Sequence, residues 1–499
     1  MNLRRLTALL GLAAGIAGTR AEVAEHERNG WPILVERGET AQAESRGALG
    51  PLLFSKPADD GMTQAGLRPL WVQTTDARGD FRAALFLYPI FSYAADAEIY
   101  KWSVLNLINR SGRREGAAPP RSDLEGHTGF DVWPFWFSRD TGDPETSYYA
   151  LFPVAGTIKQ RLGFERLSWF LLPLYGQAKK HGATTTAAPW PFVRWTRGTA
   201  TGFALWPLFG WQERPGVSRE EFYLWPLGYN RTTQPAADAP AGTPSVREYA
   251  ALPFYAHASG PGYRGETFLW PFFGYTDRTA PKNYHESRYL WPFLVQGRGE
   301  GHVVERWAPL YTHSNIQGYD KTWIAWPLFK HLRWDSDGVS QTKTQLLYFF
   351  YWNRTQRSPT NPALPAASIT HVWPLVSIWD NGAGRHQWQF PSPIEVFFPG
   401  NEKVRAAWTP LFSLVRYDQR TPGDVHASFL WDGITWEQRD VEKHKEFHLG
   451  PLFSSVTHGD ERRIAIGNGL VSWQRTATQG WRLLWLDFRS KPAITSLSR

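Results

Sequence analysis

Trp206-Pro207-Leu208-Phe209 is a tetrapeptide that the chain writes again and again. Near copies are Trp270-Pro271-Phe272-Phe273, Trp291-Pro292-Phe293-Leu294 and Trp326-Pro327-Leu328-Phe329. Looser copies are Leu172-Pro173-Leu174-Tyr175, Leu252-Pro253-Phe254-Tyr255 and Gly450-Pro451-Leu452-Phe453. Most neighbouring motif prolines lie 16 to 21 residues apart. The wider gaps hold apolar runs without the proline, as in residues 101–108, 346–352 and 394–398. Counting those runs gives about 24 slots on a repeat of roughly 18–20 residues.

Each slot reads as a β-strand bounded by turns. Aromatic and β-branched residues alternate with Gly, Pro and Asp clusters, for example Pro215-Gly216, Ser259-Gly260-Pro261-Gly262 and Asp335-Ser336-Asp337-Gly338. One strand per slot predicts an all-β, antiparallel up-and-down meander of about 24 strands. A small residue often stands three places after the proline, as Gly210 and Gly274 do, and Trp often stands just before it. With those positions opposed on neighbouring strands, an indole would cover a small residue. The longest gaps lie before Pro134, Pro253 and Trp373, and all follow odd-numbered slots. Long loops at one rim and short turns at the other predict a closed outer-membrane barrel.

Two features pull the other way. Proline inside a strand removes a ladder hydrogen bond. The motif is also apolar on both strand faces, with Phe268, Trp270 and Phe272 on one and Leu269, Pro271 and Phe273 on the other. Burial on both faces explains this better than a lipid-facing alternation. If the motif is instead a corner between shorter strands, the fold is a folded sheet, a sandwich or a propeller-like array of hairpins. The aromatic-Pro-aromatic repeat resembles that of uncharacterised exported bacterial proteins with Trp-Pro-Leu-Phe-type repeats. The resemblance spans most of the chain after the leader and implies export without implying an activity. Likeness to outer-membrane β-barrels is one of architecture alone.

The composition is that of a folded protein: 42% hydrophobic and 20% charged, with 27 Trp, 30 Phe and 19 Tyr in 499 residues. Arg4 and Arg5, an apolar run from Leu6 to Gly18, and Thr19-Arg20-Ala21 read as a signal peptide over residues 1–21. A single repetitive β domain is expected over residues 22–499. There is no cysteine, so disulfides and thiol chemistry are excluded. The net charge of +8 falls to +5 when Arg4, Arg5 and Arg20 leave, and the cations are scattered, which speaks against nucleic acid as a partner.

Candidate sites are sparse. His444, Glu446 and His448 alternate on a predicted strand and would offer two imidazoles and a carboxylate from one face, the weak metal candidate of the chain. The competing reading is a solvated strand end beside Lys443 and Lys445. Asp335-Ser336-Asp337-Gly338 lacks the later ligands of a calcium loop and reads as a hairpin turn. Glu220 and Glu221 are adjacent, so on a strand they point to opposite faces. No nucleophile elbow, phosphate loop or dinucleotide fingerprint is present. Neither catalytic residues nor a cofactor are expected. The repeat residues Trp206, Pro207, Gly210, Trp270, Pro271, Gly274, Trp291, Pro292, Trp326 and Pro327 read as packing used many times. The expected function is an outer-membrane pore, transporter or structural envelope component of unassigned cargo. The alternative is a soluble periplasmic or secreted β-repeat that binds or scaffolds.

Overall fold

The computed structural model describes residues 26–488 apart from 41–42, 59–60, 115–127, 237, 241 and 477–478. The expected signal peptide lies outside the described residues.

The motif is a turn, and this changes the strand count. Leu205 ends one strand and Phe209 begins the next, with Trp206, Pro207 and Leu208 between them. The Leu208 amide donates to the Leu205 carbonyl at 2.8 Å, and the Trp206–Pro207 peptide is cis, which makes a type VI turn. Trp270–Pro271, Trp291–Pro292 and Trp326–Pro327 are cis in the same setting. A proline there has no ladder amide to lose, so the objection to proline within strands falls away.

Each slot therefore holds a hairpin of two short strands. The described chain contains 45 strands, from β1 (Glu27–Gly30) to β45 (Gln479–Trp485). The strands form one antiparallel meander, and no ladder among the described residues joins β1 to β45. The expected 24 strands and the closed barrel are both corrected. The error came from taking the apolar motif as a strand interior. Strand lengths run from 4 residues in β1 to 8 in β32 (Phe329–Ser336).

The expected pairing of the motif indole with the small residue is also corrected. Trp206 sits in the turn, and Gly210 pairs with Ala204 and Phe222. The residue three after the proline generally meets the residue three before it: Ala250 with Ala256, His371 with Ser377, His448 with Ser454. Gly274 pairs with Thr267. Small side chains fill this second row because the hairpin closes tightly there: a Cβ at Gly210 would lie 2.6 Å from that of Ala204.

Motif turns follow odd-numbered strands, and every loop between motifs follows an even-numbered one. The long loops thus share one end of the strands with the short ones, and the motifs hold the other. The hairpin reading of Asp335-Ser336-Asp337-Gly338 is met: Asp337 and Gly338, both at positive φ, turn β32 into β33 (Val339–Leu346).

The chain divides into two compact units. One comprises the residues up to Gly50 together with those from Gly423 onward; the other runs from Pro51 to Pro422. In the larger unit, one buried apolar cluster gathers Tyr148, Ala150, Ile158 and Trp169. A second joins Val72 and Leu85 to Ala407 on the short helix α1 (Glu402–Ala407). Asn401 caps α1 by accepting from the Lys403 and Val404 amides.

Candidate functional site

In the smaller unit the alternation of β41 (His444–Leu449) is buried, which corrects the reading of it as a solvated strand end. His444, Glu446 and His448 share one face, as their spacing predicts, and Glu446 is the hub. His444 Nε2 lies 2.9 Å from its Oε2 and His448 Nε2 lies 2.6 Å from its Oε1. The His26 amide donates to Oε2 at 3.0 Å and the Glu27 amide to Oε1 at 3.1 Å. One carboxylate thus holds β1 against a strand more than 400 residues later. Burial pushes the Glu446 carboxyl up, but the hydrogen bonds from His444 and His448 outweigh it and hold it at about 2.

Beside this hub, β40 (Ile434–Arg439) places Thr435, Glu437 and Arg439 on the same face. The register sets Glu437 directly opposite Glu446, an unfavourable pairing of like charges unless cations intervene. They do. Arg439 Nε and Nη2 each lie 2.6 Å from Glu437 Oε1. His426, from β39 (Asp424–Phe429), faces Glu437 across the ladder and has its Nδ1 3.8 Å from Oε2. Burial alone would raise the Glu437 carboxyl, but His426, Arg439 and Arg37 carry it well below the carboxylate range. Glu27 is buried too. It accepts from Asn29 Nδ2 at 2.8 Å and Thr435 Oγ1 at 2.5 Å, and burial lifts its carboxyl.

Glu27, His426 and Glu437 bring their ligand atoms within 4.8 Å of one another, so the donor set is that of a metal site. The electrostatics are not. Arg37 stands against His426 Nε2, so a guanidinium already occupies the imidazole's other side. Arg37 and Arg439 also supply the positive charge that a cation would bring. The cluster is an internal ion-pair network closing the unit, and His444, Glu446 and His448 are part of it. Glu27, Arg37, His426, Glu437 and Arg439 escape sequence reading. The local signals are the same-face spacing of Glu437 and Arg439 and the hairpin that sets His426 opposite Glu437; Glu27 and Arg37 come from strands some 400 residues away.

A second buried network lies in the larger unit. His371 Nδ1 is 2.6 Å from Ser377 Oγ, which is 2.7 Å from Ser392 Oγ, and Gln389 donates to Ser392 at 3.0 Å. A serine nucleophile would need an acid behind the imidazole, but His371 Nε2 has no hydrogen-bond partner and the group is buried. Burial, helped by Arg405, holds the His371 imidazole at about 4. Glu220 and Glu221 separate as expected: Glu220 pairs with Arg231 at 3.0 Å and Glu221 with Arg219 at 2.7 Å.

The accessible feature is the row of motif turns. Their large apolar side chains stand in solvent: Leu224 is 58% exposed, Trp225 52%, Phe254 70% and Leu310 71%. Apart from the long connection after β37 (His386–Phe390), the described motif turns carry two charged residues, Arg68 and Asp432. Arg68 is buried, donating to the Ala406 and Pro51 carbonyls and lying over the Phe54 ring. Successive turns are hydrogen-bonded to each other. The Trp206 amide donates to Phe192 O at 2.7 Å, Leu224 to Leu208 O at 2.6 Å and Trp291 to Phe272 O at 2.8 Å. The opposite ends of the same strands carry Asp76, Arg78 and Asp80, or Asp440, Glu442 and Lys443. Trp206, Trp270, Trp291 and Trp326 all belong to the apolar row. No protein-family model matches this chain, and no curated protein matches it.

Proposed function

We propose that the chain is an exported envelope scaffold that lies on a lipid surface through its motif turns. The carrying observation is the row of exposed, almost uncharged aromatic and aliphatic side chains at one end of the strands. Exposed apolar patches of this extent mark interaction surfaces. Indoles next to prolines suit the boundary between headgroups and hydrocarbon, where amphipathic rings are enriched. A bilayer accepts such a row without the shape complementarity that a protein partner needs. Burying one turn such as Leu224-Trp225-Pro226-Leu227 contributes on the order of several kcal/mol at about 25 cal/mol per Å².

Strand length favours lying on the membrane over crossing it. Six residues reach about 20 Å, against a hydrocarbon core of about 30 Å and the roughly 9–11 residues of a spanning strand. Both strand faces also carry polar rows. Lys330, Gln345 and His371 align on one face, interrupted by Trp352, and His331, Thr344, Asn353 and Thr370 on the other.

The test is co-sedimentation of the full chain with phosphatidylcholine–phosphatidylethanolamine vesicles. The partner variant carries Leu208→Asp, Leu227→Asp and Phe254→Asp. Wild type should pellet with vesicles and be released by carbonate, and the variant should bind at least tenfold more weakly. Equal binding by the variant would overturn the reading. So would vesicle-free self-association through the same turns, or a heat-modifiable species that resists carbonate.

A further inference from the structure

We infer that a cavity at the charged end of the strands binds a small soluble phosphate monoester bearing a flat apolar group. The cavity measures about 360 Å³ and opens between β15 (Phe164–Phe170), β16 (Tyr175–Lys180), β17 (Ala183–Ala187) and β20 (Phe209–Arg214). Its polar lining is Lys180, His181, Thr185, Gln212 and Arg214, and Phe164 supplies an aromatic wall.

No carboxylate lines it. Glu165 stands beside the lining rather than in it, its charge met by Lys179 at 3.8 Å and by the Gly182 amide at 3.2 Å. Among the described residues Lys180, His181 and Arg214 form no ion pair with any acid. Arg214 lines the cavity and brings it a guanidinium that no acid neutralises among the described residues. Lys180 and Arg214 contribute two fixed positive charges, matching the charge of a phosphate monoester near neutral pH. The guanidinium fork suits two phosphate oxygens, and the ammonium adds a point charge. The Gln212 amide and Thr185 hydroxyl add neutral donors.

The size of the cavity decides against a bare anion. It falls at the lower end of small-molecule pockets, about 300–1,000 Å³. The Lys180 ammonium lies 5.8 Å from the centre of the Phe164 ring, so a phosphate held by that ammonium would leave the ligand's flat group beside the ring. The site is at the opposite end of the strands from the motif turns. It stands independently of the lipid-surface reading, and a membrane held by those turns would not present its headgroups here.

Phenyl phosphate is the probe, titrated calorimetrically into the full chain, with inorganic phosphate as the comparison. The double variant Lys180→Gln/Arg214→Gln should bind phenyl phosphate at least tenfold more weakly. Lys282→Gln/Arg385→Gln, which removes the same charge elsewhere, should bind as wild type does. Phe164→Leu should weaken phenyl phosphate and leave inorganic phosphate unchanged. Chemical acetylation read by mass spectrometry needs no variant: phenyl phosphate should slow modification of Lys180 and not of Lys179. Absence of saturable binding, equal losses in the two double variants, or equal protection of both lysines would overturn the assignment. Protection of Lys180 by phosphatidic acid vesicles but not by phenyl phosphate would overturn the soluble ligand.

Discussion

Replacing Glu446 by Gln should release β1, the first of the described strands. The carboxylate accepts four hydrogen bonds, two on each oxygen: Glu27 N and His448 Nε2 on Oε1, His26 N and His444 Nε2 on Oε2. A glutamine keeps one accepting oxygen. Whichever way its amide is turned, the NH2 group confronts one of the two backbone amides. An imidazole can change tautomer to meet it, but a backbone amide cannot. One buried donor left without an acceptor costs about 1–3 kcal/mol, and loss of the charge weakens the surviving pair by about 1 kcal/mol each. The total is about 3–5 kcal/mol, borne by β1, which has four residues and pairs by ladder with β2 (Leu34–Thr40). The assay is amide hydrogen exchange of the segment containing His26 and Glu27, beside urea unfolding. Exchange there should accelerate at least a hundredfold. The acid dependence has a definite sign. The folded carboxyl at about 2 lies below its ordinary 4.5, so its contribution is complete above pH 4.5 and fades as pH falls towards 2. The variant should lose that dependence. Unchanged protection at both amides and an unchanged unfolding midpoint would refute the hub.

Two further outcomes are expected in the larger unit. His371, held at about 4 against an ordinary 6.5, binds fewer protons folded than unfolded, so stability should fall as pH drops from 6.5 to 4. The fall is on the order of 3 kcal/mol, read from urea midpoints across that window, and His371→Asn should flatten it. Gly66→Ala should destabilise by about 1–3 kcal/mol, because an added Cβ would sit 2.0 Å from the Trp71 carbonyl oxygen. An unchanged thermal midpoint would count against that contact.

The fold class was legible because its signals are local. Asp337-Gly338 reads as a hairpin turn from two residues, and the all-β assignment needs no more than alternation and turn chemistry. The strand count was not legible. Trp-Pro-Leu-Phe has the composition of a buried strand, and nothing in one copy says that its apolar side chains stand in solvent at a turn. The buried cluster was half legible. His444, Glu446 and His448 show their common face through spacing alone. Glu27 reaches that face only because β1 comes back onto strands formed some 400 residues later, whereas His426 arrives from the adjoining strand β39. Lys180, His181 and Arg214 were invisible as a group, because strands that are not sequence neighbours bring them to one cavity.

The bonds that tie each motif turn to the one before it have a consequence for how such a chain can change length. Each two-strand module offers its predecessor and its successor the same kind of edge, closed at one end by a turn whose backbone bonds do not depend on side-chain identity. A module excised or copied whole returns the next strand with its direction and facing intact, so the neighbours re-form their bonds without a change of register. Loss of a single strand would instead reverse every later one and put a charged loop where a motif turn belongs. Duplication in steps of about 18 residues is thus the route of growth open to this architecture.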